Sequence, residues 1–351
     1  MWMNVEGMGI VFAGGRGPDA LDESLRRGWE PPEVVEVTGL DDRAPVREVA
    51  KDTMRDRETL KGMRRADRLS RMATLAAVDA WQAGGGKKND TSRVGVVIAT
   101  ALGSHERTFQ FLDDILDYGE IAVSPTTFSH SVHNAAASYV ATALDIHGPV
   151  MTVTDFEFGF HQALTAAQCW LQQDRCDRVL VGAVEELGDV LLHASARLGR
   201  LPPDGRPQAL VFEPEPAFVP GEGAAFFVLG PDGGEGGSVC VGRPGPLPVE
   251  LSILDAEGLG GDDSGYLNHV PAEAPVANYA PIFGSMMTGA AFQSAVAVLS
   301  LQRHVRYPCP LADHNPHGLD VCRRAEPLGT AGIRCISLGR ADRPRYITFR
   351  P

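Results

Sequence analysis

The sequence predicts an α/β protein built on a largely parallel sheet covered by helices. Three observations carry this. Arg93 to Thr100, Arg-Val-Gly-Val-Val-Ile-Ala-Thr, and Arg178 to Val184, Arg-Val-Leu-Val-Gly-Ala-Val, are continuous apolar runs of strand length, the pattern of strands buried on both faces. Leu69, Met72, Ala73, Ala76, Ala77 and Ala80 recur at helical spacing and form the apolar stripe of a helix packed on that sheet. Gly84-Gly85-Gly86 stops the helix before the next strand, so strand and helix alternate as in crossover units.

In chain order, residues 4–13 read as a first buried strand ending at Gly14-Gly15, and 19–28 as a short helix. Residues 31–62 are polar and proline-broken, a surface excursion with weak helical character near 43–61. A helix spans 105–118. Phe128 to Leu144 starts with polar turn residues and becomes a small-residue helix, of the kind that packs closely at a domain centre or a dimer seam. Val150 to Thr154 reads as a short buried strand, followed by a tight turn and a long helix. Ala225–Leu229, Ser238–Val241, Gly332–Leu338 and Tyr346–Phe349 read as later strands, with a helix from Gly284 to Val305. Composition shifts to Pro and Gly in mid-chain, which places a boundary near 210 between halves 1–210 and 211–351 of similar course.

The 351 residues suffice for two domains or one large duplicated one. A net charge of −13 argues against nucleic acid and anionic membrane as general partners. An acidic partner needs a local basic patch. Arg64, Arg65, Arg68 and Arg71 supply either that patch or a solvated helix face. The six cysteines are scattered without a Cys-x-x-Cys pair, as expected of reduced thiols. No basic segment with a following apolar run opens the chain, and no run of 18 apolar residues exists, so a cytoplasmic protein is the expectation. His314 and His317 lack further ligands for a closed metal site. Gly260-Gly-Asp-Asp-Ser-Gly265 lacks the P-loop lysine and the calcium-loop pattern. No metal and no cofactor are expected.

The turn from Asp155 to Gly159 presents Glu157 where unpaired backbone N–H groups and the positive end of a helix dipole meet. Enzymes place nucleophiles in that field. Glu157 is either the altered centre of such a site or a cap of the helix. His130 and His133 either line a cleft or cap the next helix, and Met286 and Met287 fill a tunnel or a core.

Several segments together resemble the thiolase-fold β-ketoacyl synthases. Gly7-Met-Gly-Ile-Val11 is similar to their opening strand, and Asp67-Arg-Leu-Ser70 with Arg93-Val-Gly-Val-Val-Ile98 to the next helix and strand. Gly148-Pro149 with Val153 resembles the strand before the nucleophile elbow, Val181-Gly-Ala-Val-Glu185 the strand after it, and Pro220-Gly-Glu-Gly-Ala224 a recurrent loop. Phe128-Ser-His-Ser-Val-His-Asn-Ala-Ala136 is similar, more narrowly, to chain length factors, including those of aryl-polyene pathways. The resemblance implies a five-layered αβαβα fold of two similar halves forming one unit.

The family uses a Cys at the elbow to carry the acyl chain and two His from the second half to bind the malonyl thioester carbonyl. Counted from Gly148-Pro149, the nucleophile position falls on Glu157. The resemblance sets His269 at the first histidine, although Val270-Pro271 replaces the Gly-Thr that follows it in the family. It sets Ser285, in Gly284-Ser-Met-Met-Thr-Gly-Ala-Ala291, at the second. The gating loop falls on Leu338-Gly-Arg-Ala-Asp342, with Arg340 at the gate. Phe156, Phe158, Met286, Met287 and Arg340 are the implied tunnel and gate residues. The implied function is a condensation-inactive, chain-length-factor-like subunit. Its partners are an acyl carrier protein and either an intact ketosynthase or a second copy. The alternatives are a malonyl-carrier decarboxylase and a stand-alone acyl- or carrier-binding homodimer.

Overall fold

The structure, a computed structural model, describes residues 1–351 apart from 88–90, 120, 122, 234–236, 243–246, 260, 261, 271–273 and 341. Gly260, Gly261, Pro271, Ala341 and part of the 230–238 loop therefore lie outside the described residues. The first part of the chain runs β1 (Met3–Phe12), β2 (Gly15–Arg16), α1 (Gly17–Arg27), β3 (Glu33–Glu36), β4 (Arg43–Val46), α2 (Arg68–Ala83) and β5 (Val94–Thr100). It continues α3 (His105–Tyr118), α4 (Pro125–Ser131), α5 (Ala135–Leu144), β6 (Val150–Thr154), α6 (Gly159–Gln172), β7 (Arg178–Glu185), α7 (Asp189–Arg197) and β8 (Gly223–Pro231). The second part holds β9 (Ser238–Val241), β10 (Val249–Leu254), β11 (Val276–Ala277), α8 (Ala280–Phe283) and α9 (Gly289–Arg303). After these come β12 (Val305–Arg306), β13 (Glu326–Pro327), β14 (Gly332–Gly339) and β15 (Arg343–Arg350).

One sheet takes the order β11-β10-β14-β15-β9-β1-β8-β7-β5-β6, with β2 paired to β1. Counted within each part, β1, β5, β6, β7, β8 and β9, β10, β11, β14, β15 fall in the same spatial order, third-second-fourth-fifth-first. In both sets the fifth strand runs antiparallel to its neighbours. The chain is thus duplicated, and the sets meet where Met3 pairs with Val239 and Asn4 with Ser238. By pairing, the division lies between β8 and β9, later than the boundary near 210 drawn from composition. Pro and Gly mark loops as readily as domain borders, and the 201–220 segment is a loop inside the first set.

Helices α2 and α5 cover the outer face of the first set, on Val96, Ile98, Leu180, Phe226 and Val228. Gly7 and Gly9 let α2 come close, since a Cβ on either would fall within 2.2 Å of the carbonyl of Ala80 or Ala76. Helices α6 and α9 occupy the inner faces, against Val97 and Phe227 of the first set and Leu251, Ile253 and Ile333 of the second. The outer cover is uneven. The inward residues of β9, β14 and β15 are Val239, Ile333, Cys335, Ile347 and Phe349, whereas Ser238, Cys240, Arg334, Thr348 and Arg350 alternate with them. This in–out alternation marks a sheet face without helices over it.

Two local expectations fail. Residues 43–46 form a hairpin strand with β3 rather than helix, because alternating Ala44 and Val46 are buried beside Val37. Among the described residues, strand β6 lies at the edge of the sheet and pairs with β5 alone. Val150 is 44% and Met151 39% exposed, so the strand is not buried as its apolar character suggested. Among the described residues no helix is long and apolar enough to cross a membrane.

The start of β8 is fixed by Glu222, which is fully buried. Its carboxylate accepts from the N–H groups of Val49 (2.7 Å) and Leu187 (3.1 Å) and from Arg68 Nε (2.8 Å). Replacing it orphans the N–H groups of Val49 and Leu187 and leaves the half-buried Arg68 with only Glu48 and the Val49 carbonyl, so Glu222→Ala is expected to cost about 2–4 kcal/mol. Chemical denaturation of the variant checks the value.

Candidate active-site cleft

At the elbow, Asp155 takes the role of cap. Its Oδ1 accepts from the N–H groups of Glu157 and Phe158 (both 2.7 Å), and its Oδ2 from the Gln162 amide (2.8 Å). Burial pushes the Asp155 carboxyl up, but these bonds outweigh it and hold the group below its ordinary value. Glu157 is therefore free of the helix end and turns across to the β14–β15 loop. Its Oε1 lies 3.3 Å from Arg340 Nε, and its Oε2 accepts from the Arg340 backbone N–H at 3.3 Å. Gly339 makes the approach possible: a Cβ there would sit 2.4 Å from the Phe158 ring and 2.7 Å from Glu157 Oε2.

The elbow opens onto a cleft of about 730 Å³ between the two halves. Phe156, Glu157, Met286, Met287 and Arg340 line it. The opposite wall carries Asp255, Glu257, Asp263 and Tyr266, from the end of β10 and the segment after it. The Ser337 hydroxyl donates to Asp255 Oδ2 (2.8 Å), and the Met286 N–H to Glu257 Oε2 (3.0 Å). Burial pushes Asp255 up to about 6 and Asp263 to about 7. Glu257 is raised by burial and by the charge of Asp255. The Tyr266 hydroxyl donates to the Asp255 carbonyl (2.6 Å) and is not free.

The remaining expected site residues fall elsewhere. His269 sits at the rim, its Nε2 3.2 Å from Asp342 Oδ1, and does not line the cleft. Ser285 is buried on the far side of Met286, its backbone bonded to Val219 (2.6 Å) and Gly221 (3.2 Å). Phe158 packs edge-on to His161 and under Arg345 rather than facing the cleft. His130 bonds the Tyr139 hydroxyl (2.8 Å) and His133 packs on Gly103. His317 bonds the Val211 carbonyl and stacks on Phe212, while Asp313 pairs with Arg206. Arg68 is withdrawn from the basic patch into its pair with Glu222. A second depression, of about 670 Å³, is lined by Arg200, Asp204, Arg206, Asp313 and His314 and by neither Glu157, His269 nor Ser285.

Residues 3–232 match the family model described as β-ketoacyl synthase, N-terminal domain. The chain belongs to the β-ketoacyl synthase family. One relative of this ketosynthase-family chain is the 3-oxoacyl-[acyl-carrier-protein] synthase 2 of Mycobacterium bovis, 33% identical over 125 residues. That alignment spans 35% of this chain and 30% of the relative's length. A β-ketoacyl synthase from Burkholderia phymatum matches in fold with a TM-score of 0.78 at 17% identity, covering 99% of this chain and 98% of that one. The ishigamide ketosynthase/chain length factor matches with a TM-score of 0.75 at 16% identity, with the same coverage. The fold is thiolase-like, as the motifs implied.

The acidic wall of this ketosynthase-fold cleft was missed from the sequence, where Asp255 to Asp263 reads as an acidic, glycine-rich loop. The apolar alternation of Leu251, Ile253 and Leu254 marks the end of a strand pointing Asp255 and Glu257 at the centre. It was available as a signal. Asp263, together with Glu185 and Glu186, buried at the end of β7 and pushed to about 7 and about 8, keeps protons in the folded state that the unfolded chain has released. Their stabilisation is full below the ordinary carboxyl range and is lost as pH rises through those values. The thermal midpoint is therefore expected to fall as pH climbs from about 5 to about 8. Asp263→Asn should flatten that fall, as scanning calorimetry would read.

Proposed function

We propose that this chain is a condensation-inactive member of its family that pairs with a ketosynthase, in the manner of a chain length factor, and helps to form an acyl-binding space. The observation that carries this is the Glu157–Arg340 contact at the elbow. A carboxylate at the acyl-acceptor position gives at best a labile anhydride, and here it is engaged by the gate residue. The histidine positions support the same reading. The family's first histidine is followed by glycine, as Glu257 is by Gly258. Its second stands three residues before the glycine of Gly-Ala-Ala, which falls on Met286 rather than Ser285. Both Glu257 and Met286 line the cleft, whereas His269 and Ser285 do not.

The partner surface is argued from β6 and the helices beside it. The free edge of β6 offers unpaired backbone groups with exposed Val150 and Met151, which favours strand addition. Helices α3 and α4 leave Leu112, Leu116, Tyr118 and Phe128 exposed nearby in the chain, more apolar surface than a lone subunit keeps in water. For an acidic carrier, Arg65, Arg71 and Arg107 gather around Tyr139, a local basic field on a chain of net charge −13. A cleft walled by carboxylates disfavours the malonyl group that a decarboxylase would need.

Co-expression with the ketosynthases of its own genome tests the reading. The expected result is a co-eluting complex that Met151→Lys dissociates, with no acyl adduct on this chain by intact mass after exposure to acyl thioester. A chain that never associates with a ketosynthase sinks the pairing. A homodimer with bound acyl chains and no such partner favours the stand-alone binding protein.

A further inference from the structure

We propose that Asp255 and Glu257 act together as the hydrogen-bond donor of the cleft, holding a proton between their carboxyl groups and offering it to the carbonyl oxygen of an uncharged acyl thioester. The proposal rests on reading the cleft as the acyl-thioester end of a ketosynthase frame. It goes further by naming the donor and the charge of the acyl group admitted.

The two carboxyl groups converge on the first turn of α9. A Cβ placed on Gly289 would lie 2.0 Å from Glu257 Oε1 and 2.7 Å from Asp255 Oδ1. Glycine at this position leaves the space in which the carboxyls meet. The outer oxygens are held from opposite sides, Asp255 Oδ2 by Ser337 and Glu257 Oε2 by the Met286 N–H. Asp255 Oδ1 is buried without a complete hydrogen bond, facing the Glu257 carboxyl and the Ala290 N–H in the first turn of α9. Two carboxyl oxygens so placed repel unless a proton lies between them.

The other donors of the cleft are committed. The Tyr266 hydroxyl donates to the Asp255 carbonyl, the Ser264 hydroxyl to Asp262 (2.5 Å) and the Asn268 amide to Asp342 (3.4 Å). Arg340 is held by Glu157. On the Asp255–Glu257 wall of the cleft, the proton of the pair is the side-chain donor left for a ligand oxygen. The single negative charge that the pair carries with one proton is held by Ser337, the Met286 N–H and the positive end of α9.

Charge then selects the acyl group. Glu157, Asp262, Asp263 and Asp342 line the cleft beside the pair, and Arg340 is the one guanidinium among the described lining residues. A malonyl carboxylate meets this field without a free cation, while a fatty acyl thioester brings no charge into it. Burial and mutual charge raise both members of the pair. The groups facing them are Asp263 and Tyr266 from the loop after β10, Cys335 and Ser337 from β14, and the Glu157–Arg340 contact. None supplies a free cation to keep the pair ionised, so the donor is present at low pH and lost as pH rises.

The test uses the purified full chain with S-butyryl-pantetheine and S-malonyl-pantetheine as probes, titrated by calorimetry across a pH series. The uncharged probe is expected to bind about tenfold more tightly than the malonyl probe, with affinity falling as pH rises. Glu257→Gln supplies an amide N–H that does not titrate, and should keep the affinity while losing its pH dependence. Glu257→Ala should weaken binding by about tenfold. Should Glu257→Ala unfold, Glu257→Gln carries the test alone. Malonyl binding as tight as butyryl, pH-independent binding by the unaltered chain, or an unchanged pH profile in Glu257→Gln overturns the role of the pair. Binding of neither probe overturns the thioester reading of the cleft itself, whatever partner the chain has.

Discussion

The arrangement depends on one buried ion pair. Glu222 has no exposure to water, and Arg68 and the N–H groups of Val49 and Leu187 converge on its carboxyl oxygens. Those partners belong to the start of α2, the excursion before it and the segment after β7. A single side chain at the head of β8 thus fixes where α2 begins, how the 31–62 excursion lies and where β7 releases the chain. A buried charge is tolerated only when its partners are complete. The local geometry of the first set is therefore specified as a unit. Glu186 next door, with Asp67 near it, lacks such a cation and is pushed up instead.

The cleft shows the same rule at a site open to ligand. Asp155 saturates the helix end, which leaves Glu157 without the dipole as a partner, and Arg340 reaches it because Gly339 has no side chain. Across the cleft the Asp255–Glu257 pair has N–H and hydroxyl partners but no cation. Asp155 is thereby held below its ordinary value at the elbow, while the pair opposite is driven toward its protonated form. Environments that push neighbouring acids in opposite directions divide donor from acceptor without changing residue type.

The duplication explains why these groups face each other. Each half sends one long helix, α6 or α9, inward from the same topological position, so two helix N-termini approach one cleft. The first half meets it with Asp155 and Glu157, the second with Asp255 and Glu257. The halves differ outside: the first is covered by α2 and α5, while the outer residues of the second are polar and alternate with its core.

Most of the framework was legible in the sequence, because the information lies in short-range pattern. Continuous apolar strands at 94–100 and 178–185, the alanine-rich stripe of α2 and the glycines after it specify buried strands and packed helices wherever they occur. The elbow and Glu157 within it followed from spacing after Gly148-Pro149. What the sequence could not settle were facts of neighbourhood. Strand β6 reads as buried but lies at an edge, since apolar residues do not say how many strands flank them. His269, Ser285 and Phe158 were placed by order along the chain. Whether a side chain enters the cleft depends on the register of Met286 and Met287 beside α9. Glu257 was passed over because an acidic, glycine-rich stretch looks solvated until β10 carries it between two helix ends. The sequence determined by itself the α/β framework and the turn before α6 at which Glu157 stands. Only the tertiary structure decided which carboxyls are pushed up and which are held down, because a proton's affinity is set by burial and by partners from distant parts of the chain, as Ser337 is for Asp255.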